Sequence, residues 1–318
     1  LADPKDKLII YAAIQQGGEL INMEKYEEGA RILENALRNE ELIPQASVLL
    51  ATCYVELERT EEAKTQFDIL LKDDPNSLQA LVGMANLLLQ EGQKEDVIAL
   101  CKKILSIDER NTQAYTILGE IYLQENRQSE ALPFLEKAVE IQPKLTRNKL
   151  NLAACYIGLR QYAEGENLIS EILKEYPKFP LAYFHLGLSY EEQGKIVEAC
   201  KAYTEELSLY PDHFKARFNL ARLMLREGDM QGYMEHMNEI VKTAPKYAEG
   251  YLFLARGILL EGKNTQEALE LVEKGISLTE KNDLLALGYF LMADIYTRLQ
   301  QPDKVNEALK KANAYKMK

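Results

Sequence analysis

A Gly or Ala stands at every thirty-fourth position along most of this chain: Gly17, Ala51, Ala85, Gly119, Ala153, Gly187 and Ala221. The residue before it is bulky in Leu50, Met84, Leu118, Leu152, Leu186 and Leu220, and Gln16 is the exception in the first copy. The frame runs on through Leu254-Ala255, takes an extra residue near Lys263 to Thr265 before Ala268, takes three more around Asp283 to Leu285, and resumes at Met292-Ala293. No single helix or strand has a period this long, so the repeating object is a supersecondary unit. Nine copies fit the 318 residues, at about 10–43, 44–77, 78–111, 112–145, 146–179, 180–213, 214–247, 248–282 and 286–318.

The stretch Asn111 to Pro143 shows what one copy is. Tyr115, Leu118, Gly119 and Tyr122 fall at helical spacing, and so do Ala131, Leu135, Ala138 and Val139, so each segment is an amphipathic helix. Asn126 tolerates the left-handed conformation of a tight helix exit, Ser129 is a candidate N-cap for the second helix, and Pro143 stops that helix. Two helices joined by so short a turn pack antiparallel, and the small Gly119 and Ala131 set how near they come. Such a hairpin cannot bury its apolar faces alone. It must stack on copies of itself, which predicts one all-α array.

These residues resemble the tetratricopeptide repeat, whose motif places a bulky residue, Leu-Gly/Ala, Tyr, Ala, an aromatic, Ala and Pro at fixed positions. Tyr183, Leu186-Gly187, Tyr190, Ala199, Tyr203 and Pro211 carry it in one copy, and the resemblance covers nearly the whole chain. It implies an all-α, right-handed superhelical solenoid of nine antiparallel helix pairs, elongated because each hairpin touches only its neighbours. Three positions depart from the pattern. Glu206 and Gly275 stand where the family prefers a small or apolar residue late in the second helix. Tyr233 replaces an Ala and is expected to splay its hairpin, where Met224, Met230, Met234 and Met237 pack softly around it.

Composition excludes several function classes. The net charge of −12 opposes nucleic-acid binding, which needs a basic stripe. The charge is also uneven: residues 1–145 hold 15 Lys and Arg against 26 Asp and Glu, and the remainder 23 against 24. No apolar run reaches the roughly 18 residues of a membrane span. The chain opens at Leu1 without Met or a basic-then-apolar leader, which reads as a processed or excised piece and leaves the compartment open between cytoplasm and periplasm or exterior.

Catalytic and metal chemistry find little support. Cys53, Cys101, Cys155 and Cys200 lie far apart on apolar helix faces, as small buried hydrophobes do. His185, His213 and His236 lack an H-x-x-x-H partner. "GGEL" and "EGQKED" are turns without the spacing of a phosphate cradle. The reading is a non-enzyme with no cofactor and no metal.

What remains is surface. The resemblance implies that first helices line a concave groove, with partner contacts from repeat places two, five, nine and twelve. Place five supplies Leu150, Phe184, Phe218, Leu252 and Phe290, an apolar strip that either docks a partner or packs between hairpins. Places two and nine supply Asn86, Glu120, Arg147, Lys215, Arg222 and, at place nine of the next copy, Arg256, with Asn219 beside them. The basic members make a candidate anion-receiving wall. A carboxylate clamp of the chaperone-binding kind requires Lys at place five, and no copy has one.

A narrower resemblance concerns "LADPKDKL", "YAEGYLFLARGILLEG" and "LGYFLMADIYTRL", which are similar to the repeat tail that follows a sulfatase-like catalytic domain in some secreted bacterial proteins. It implies a docking module whose hydrolase lies upstream. The sulfatase nucleophile signature follows none of the four cysteines. Three readings stand: a scaffold binding a peptide, helix or folded partner in its groove; a C-terminal docking or localising module of a larger hydrolase; and a carbohydrate or lipid carrier.

Overall fold

The computed structural model describes residues 4–37 and 43–316, with side chains described from residue 10 onward. Eighteen helices and no strands are present among the described residues. They form two compact units, Leu1–Gln161 and Tyr162–Lys318. The first holds α1 (Pro4–Asn22), α2 (Tyr26–Ala36), α3 (Pro44–Glu56), α4 (Thr60–Asp73), α5 (Leu78–Gln90), α6 (Lys94–Ile107), α7 (Thr112–Gln124), α8 (Gln128–Ile141) and α9 (Thr146–Gly158). The second holds α10 (Tyr162–Glu175), α11 (Ala182–Glu192), α12 (Ile196–Leu209), α13 (Phe214–Arg226), α14 (Met230–Thr243), α15 (Ala248–Glu261), α16 (Thr265–Ser277), α17 (Asn282–Arg298) and α18 (Pro302–Lys316).

The 34-residue period is written into the backbone. Left-handed residues occur at Glu24, Glu58, Gly92, Asn126, Arg160, Gly194, Gly228 and Gly262, each 34 after the last, and again at Gln300. Each ends the first helix of a hairpin. The next N–H reaches back five residues, as Arg127 does to the Tyr122 carbonyl at 2.9 Å and Asp229 to Met224 at 2.9 Å. This closure satisfies carbonyls the helix end would leave unpaired and reverses the chain in three residues. A cation three places beyond the last helical residue often covers a tyrosine of that helix: Arg59 lies 4.3 Å over Tyr54 and Arg127 4.6 Å over Tyr122. Ser129 does not cap α8. That helix begins at Gln128, and Arg127 instead clamps the turn through Glu125 at 2.8 Å and Glu130 at 2.6 Å.

The small residues are sockets. A Cβ added at Gly119 would lie 2.4 Å from Leu135, one at Gly187 2.5 Å from Tyr203, and one at Gly83 2.3 Å from Phe67. The second helix of a hairpin therefore sends one large side chain into the space above a glycine, and packing density sets the pairing. Tyr233 is handled the same way. It is fully enclosed, its hydroxyl donates to the Phe253 carbonyl, and its ring occupies the space left by Gly257 in the next copy, where a Cβ would come within 2.7 Å. The glycine one copy onward gives the ring its room, and Met237 beside it is fully buried. Gly275 likewise receives Leu252, 2.8 Å from its would-be Cβ.

Glu206 is the third departure, and it is 1 % exposed. Its carboxylate accepts from the backbone N–H of Leu181 and Phe184, both at 3.2 Å, and lies 2.9 Å from His213 Nδ1. Leu181 is left-handed at φ 66° and offers α11 no side-chain cap. Glu206, from the following helix, does the capping instead. Charge-assisted bonds to a helix N-terminus are what make a buried carboxylate tolerable there.

Candidate partner-binding face

The apolar strip expected along place five is mostly closed. Leu252 is fully enclosed against Gly275 and Gly288, Leu150 is 5 % exposed, and Phe218 is 9 % exposed with its ring edge-on to Phe253 at 4.9 Å. Phe184 is half-buried against His213 at 4.7 Å. A side chain standing between two stacked first helices fills the seam between them, so these residues serve the core. Phe290 stays open, 38 % exposed beside Leu287 and Tyr315.

The basic wall is also partly spent. Arg147 Nη2 pairs with Glu120 at 2.9 Å, and Arg222 lies 3.5 Å from Glu191 and over the Phe218 ring. Arg256 lies over Phe253, and Lys215 is exposed. Asn219 donates to the Tyr203 hydroxyl at 3.3 Å, and that hydroxyl donates to Glu191 at 2.8 Å. Arg222 and Asn219 thus hold a network with Tyr203 and Glu191 before any partner arrives.

Asn86, Glu120 and Arg147 come together instead. They line a hollow of about 650 Å³ in the first unit with Leu89, Asp108, Arg110, Asn111, Thr112, Gln113, Thr116, Ile117, Gln142, Leu145 and Asn148. All of these lie on α5, α7 and α9 or on the segments that lead into α7 and α9; α6 and α8 supply none. Glu120 accepts from Arg147 Nε at 3.0 Å and from Asn151 at 2.8 Å, a bridge that ties α7 to α9.

Asn148 escaped the place-by-place reading, though the sequence carries its signal. The third place of the other copies is Ala12, Ala46, Ala80, Ala114, Ala182, Ala216, Gly250 and Gly288, buried in all but the first, and only here is it polar. Asn148 is fully enclosed; its Oδ1 lies 3.0 Å from Thr116 Oγ1, and its Nδ2 has no hydrogen-bond partner among the described residues.

The nucleophiles and titratable groups offer no comparable assembly. Burial pushes the Cys53 and Cys155 thiols up to about 11 and Cys101 to about 12, far from thiolate chemistry at neutral pH. Burial pulls the His185 imidazole down to about 4, with Glu206 opposing and His213 and Lys215 assisting. Among the described residues no group of three His, Cys, Asp or Glu is placed to hold a metal ion, and no helix is long and apolar enough to cross a membrane.

Comparison with known proteins follows this geometry. No curated protein is matched by the sequence. The family model described as the tetratricopeptide repeat protein 21 C-terminal ARM domain matches residues 20–182, and the tetratricopeptide repeat model matches 180–213. Among solved structures, a tetratricopeptide repeat protein from Parabacteroides merdae is similar over 90 % of this chain and 99 % of its own, at 15 % identity and TM-score 0.58. The Cut9-Hcn1 hetero-tetramer of APC/C is similar over 89 % of this chain at 11 % identity and TM-score 0.62, and this chain spans about half, 52 %, of that one. Human IFIT1, solved as a dimer with m7Gppp-AAAA, is similar over 94 % of this chain and 79 % of its own, at 15 % identity and TM-score 0.62. At these identities the likeness is one of fold; the narrower resemblance to a sulfatase-like tail is not shown by these comparisons. With a family match over more than half its length and helical hairpins in both units, the chain belongs to the tetratricopeptide-repeat family, of the type described as the tetratricopeptide repeat protein 21 C-terminal ARM domain.

Proposed function

We propose that this protein is a non-catalytic scaffold that holds a protein or peptide partner on the first-helix face of its N-terminal unit, centred on Asn86, Glu120 and Arg147. The observation that carries this is the origin of the hollow's walls: three successive first helices and their leading segments build it, and no second helix takes part. A surface assembled from several copies of a repeat reads a partner too long for any one hairpin, and its rigidity comes from the stack beneath it. The hollow balances two acidic side chains, Asp108 and Glu120, against two basic ones, Arg110 and Arg147. Net attraction for a simple ion is therefore weak, and specificity rests on shape and hydrogen bonds.

Site-specific photo-crosslinking tests this. A photoreactive residue replaces Gln113 on the first-helix face in one full-length variant, and Lys102, exposed on α6, in another. Reproducible crosslinks to a defined protein from position 113 and none from 102 are expected. Crosslinks from 102 with none from 113 move the partner to the second helices and overturn the reading.

A further inference from the structure

Phe134 stands fifteen residues after Gly119, and its ring meets two tyrosines of the same hairpin: it stacks on Tyr122 at 5.7 Å and is tilted to Tyr115 at 6.4 Å. The last hairpin keeps this setting and leaves the ring out. Tyr289 and Tyr296 hold the two tyrosine places, and Ala308, fifteen residues after Ala293, holds that of Phe134. Most copies carry a larger side chain there, from Ile32 to Leu271, with Ala202 the other exception. Ala308 is 4 % exposed, and a hollow of about 170 Å³ remains beside it, walled by Tyr289, Met292 and Tyr296 of α17. An apolar cavity of about 150 Å³ is large enough for one benzene ring. The charges differ too. Where the fourth copy has Arg127 and Glu130, this one has Gln301 and Lys304. Lys304 Nζ now lies 5.2 Å over Tyr296, and it makes no ion pair among the described residues. Lys311 Nζ lies 5.6 Å over Tyr289 and pairs with Glu307 at 2.7 Å.

We propose that the slot between α17 and α18 binds a small aromatic monocarboxylate, with its ring between Tyr289 and Tyr296 and its carboxylate at the Lys304 and Lys311 ammonium groups. The site belongs to the second unit and is independent of the scaffold reading. The ligand's ring supplies the stacking that the fourth copy obtains from its own Phe134, and an aliphatic body of equal size fills the space without it. Two ammonium groups line the hollow against one carboxylate, Glu307, so an anion is favoured and a cationic ring would add a third positive charge. Glu273 of α16 acts on Tyr296 from outside the wall. A seated ring touches both helices, so the ligand also holds α18 against α17.

The test titrates the full chain, isotope-labelled at its methionine methyl groups, with phenylacetate and follows it by NMR. Expected is a dissociation constant on the order of 0.1 mM, within the reach of a ligand of about ten heavy atoms. The ring current should move the Met292 methyl signal, assigned through Met292→Leu, more than that of any other methionine. Cyclohexylacetate and benzylammonium should each bind about tenfold more weakly or worse. Ala308→Phe rebuilds the arrangement of the fourth copy and should abolish binding while thermal stability holds or rises. Lys304→Gln should weaken phenylacetate about tenfold and leave the neutral benzyl alcohol unchanged. Undiminished binding in Ala308→Phe, or tighter binding of benzylammonium than of phenylacetate, overturns the proposal. Should Ala308→Phe fail to fold, the wild-type spectrum decides alone: a Met292 methyl unmoved by millimolar phenylacetate overturns it equally.

Discussion

Single residues that break the repeat are where this chain is most informative, and Glu206 shows why. The carboxylate occupies a place that other copies fill with Leu70, Ile104, Ala138, Ile172 or Ile240, yet it closes the N-terminus of α11 from outside the helix. Glu206→Ala removes the acceptor of the Leu181 and Phe184 N–H groups and the partner of the His213 ring, and is expected to destabilise by about 2 kcal/mol. Glu206→Gln keeps an accepting oxygen and should lose roughly half as much. Urea unfolding of both separates capping from simple packing, because a packing role would make the two variants equal. His185 nearby gives a second test. Burial holds its folded value near 4 against 6.5 for a free imidazole, so between those values the unfolded chain binds the extra proton and stability falls as pH drops. Wild type should therefore lose on the order of 1 to 2 kcal/mol more than His185→Asn between pH 7 and pH 4.5. Identical losses would show that the ring titrates freely.

At the scale of the helical hairpin, the period, the helix pairs and the left-handed exit at Asn126 were legible, since each follows from local spacing and turn chemistry. What was hidden depends on a neighbouring copy. Ser129 has the chemistry of a cap, but an Arg127 clamp with two glutamates decides the turn. Leu252 has the place of a groove residue, but Gly275 and Gly288 draw it inward. Tyr233 has the bulk of a residue that would crowd its own hairpin, and its ring reaches the space beside Gly257 of the next copy. The Tyr233–Gly257 exchange is directly testable. Tyr233→Ala should cost about 3 to 5 kcal/mol and Gly257→Leu about 1 to 3. Made together they rebuild the arrangement of other copies, where Ala63 and Leu87, or Ala199 and Leu223, hold the equivalent places, and should recover about 2 kcal/mol of the sum. Strict additivity would mean the two sites do not share the space. The turns offer a stabilising counterpart: Glu58 and Arg160 carry left-handed backbone at φ 57° and 62°, and glycine at either should gain up to about 1 kcal/mol.

Across the whole chain, stability is distributed by what each helix covers. Stacked hairpins stabilise one another through their faces, so a helix with one packed side and little apolar content is the weakest link. α18 is that helix: within its fifteen residues only Ala308 and Ala312 are buried, whereas α7 buries seven of thirteen, from Thr112 to Tyr122, and α8 sends Leu135 into the Gly119 socket. Burial of apolar area is the main term holding each helix in place, at about 25 cal/mol per Å². Opening α18 exposes two alanine side chains; opening α7 exposes Ile117, Leu118, Ile121 and Tyr122. Native-state hydrogen exchange should therefore release the amides of α18 by local opening at free energies several kcal/mol below those of α7 and α8. The ordering should be insensitive to low denaturant, because fraying exposes little surface. If α18 amides exchange only with the core of α15 to α17, its many contacts with α17, including the stacked rings of Tyr289 and Tyr315 at 5.7 Å, outweigh its small apolar face.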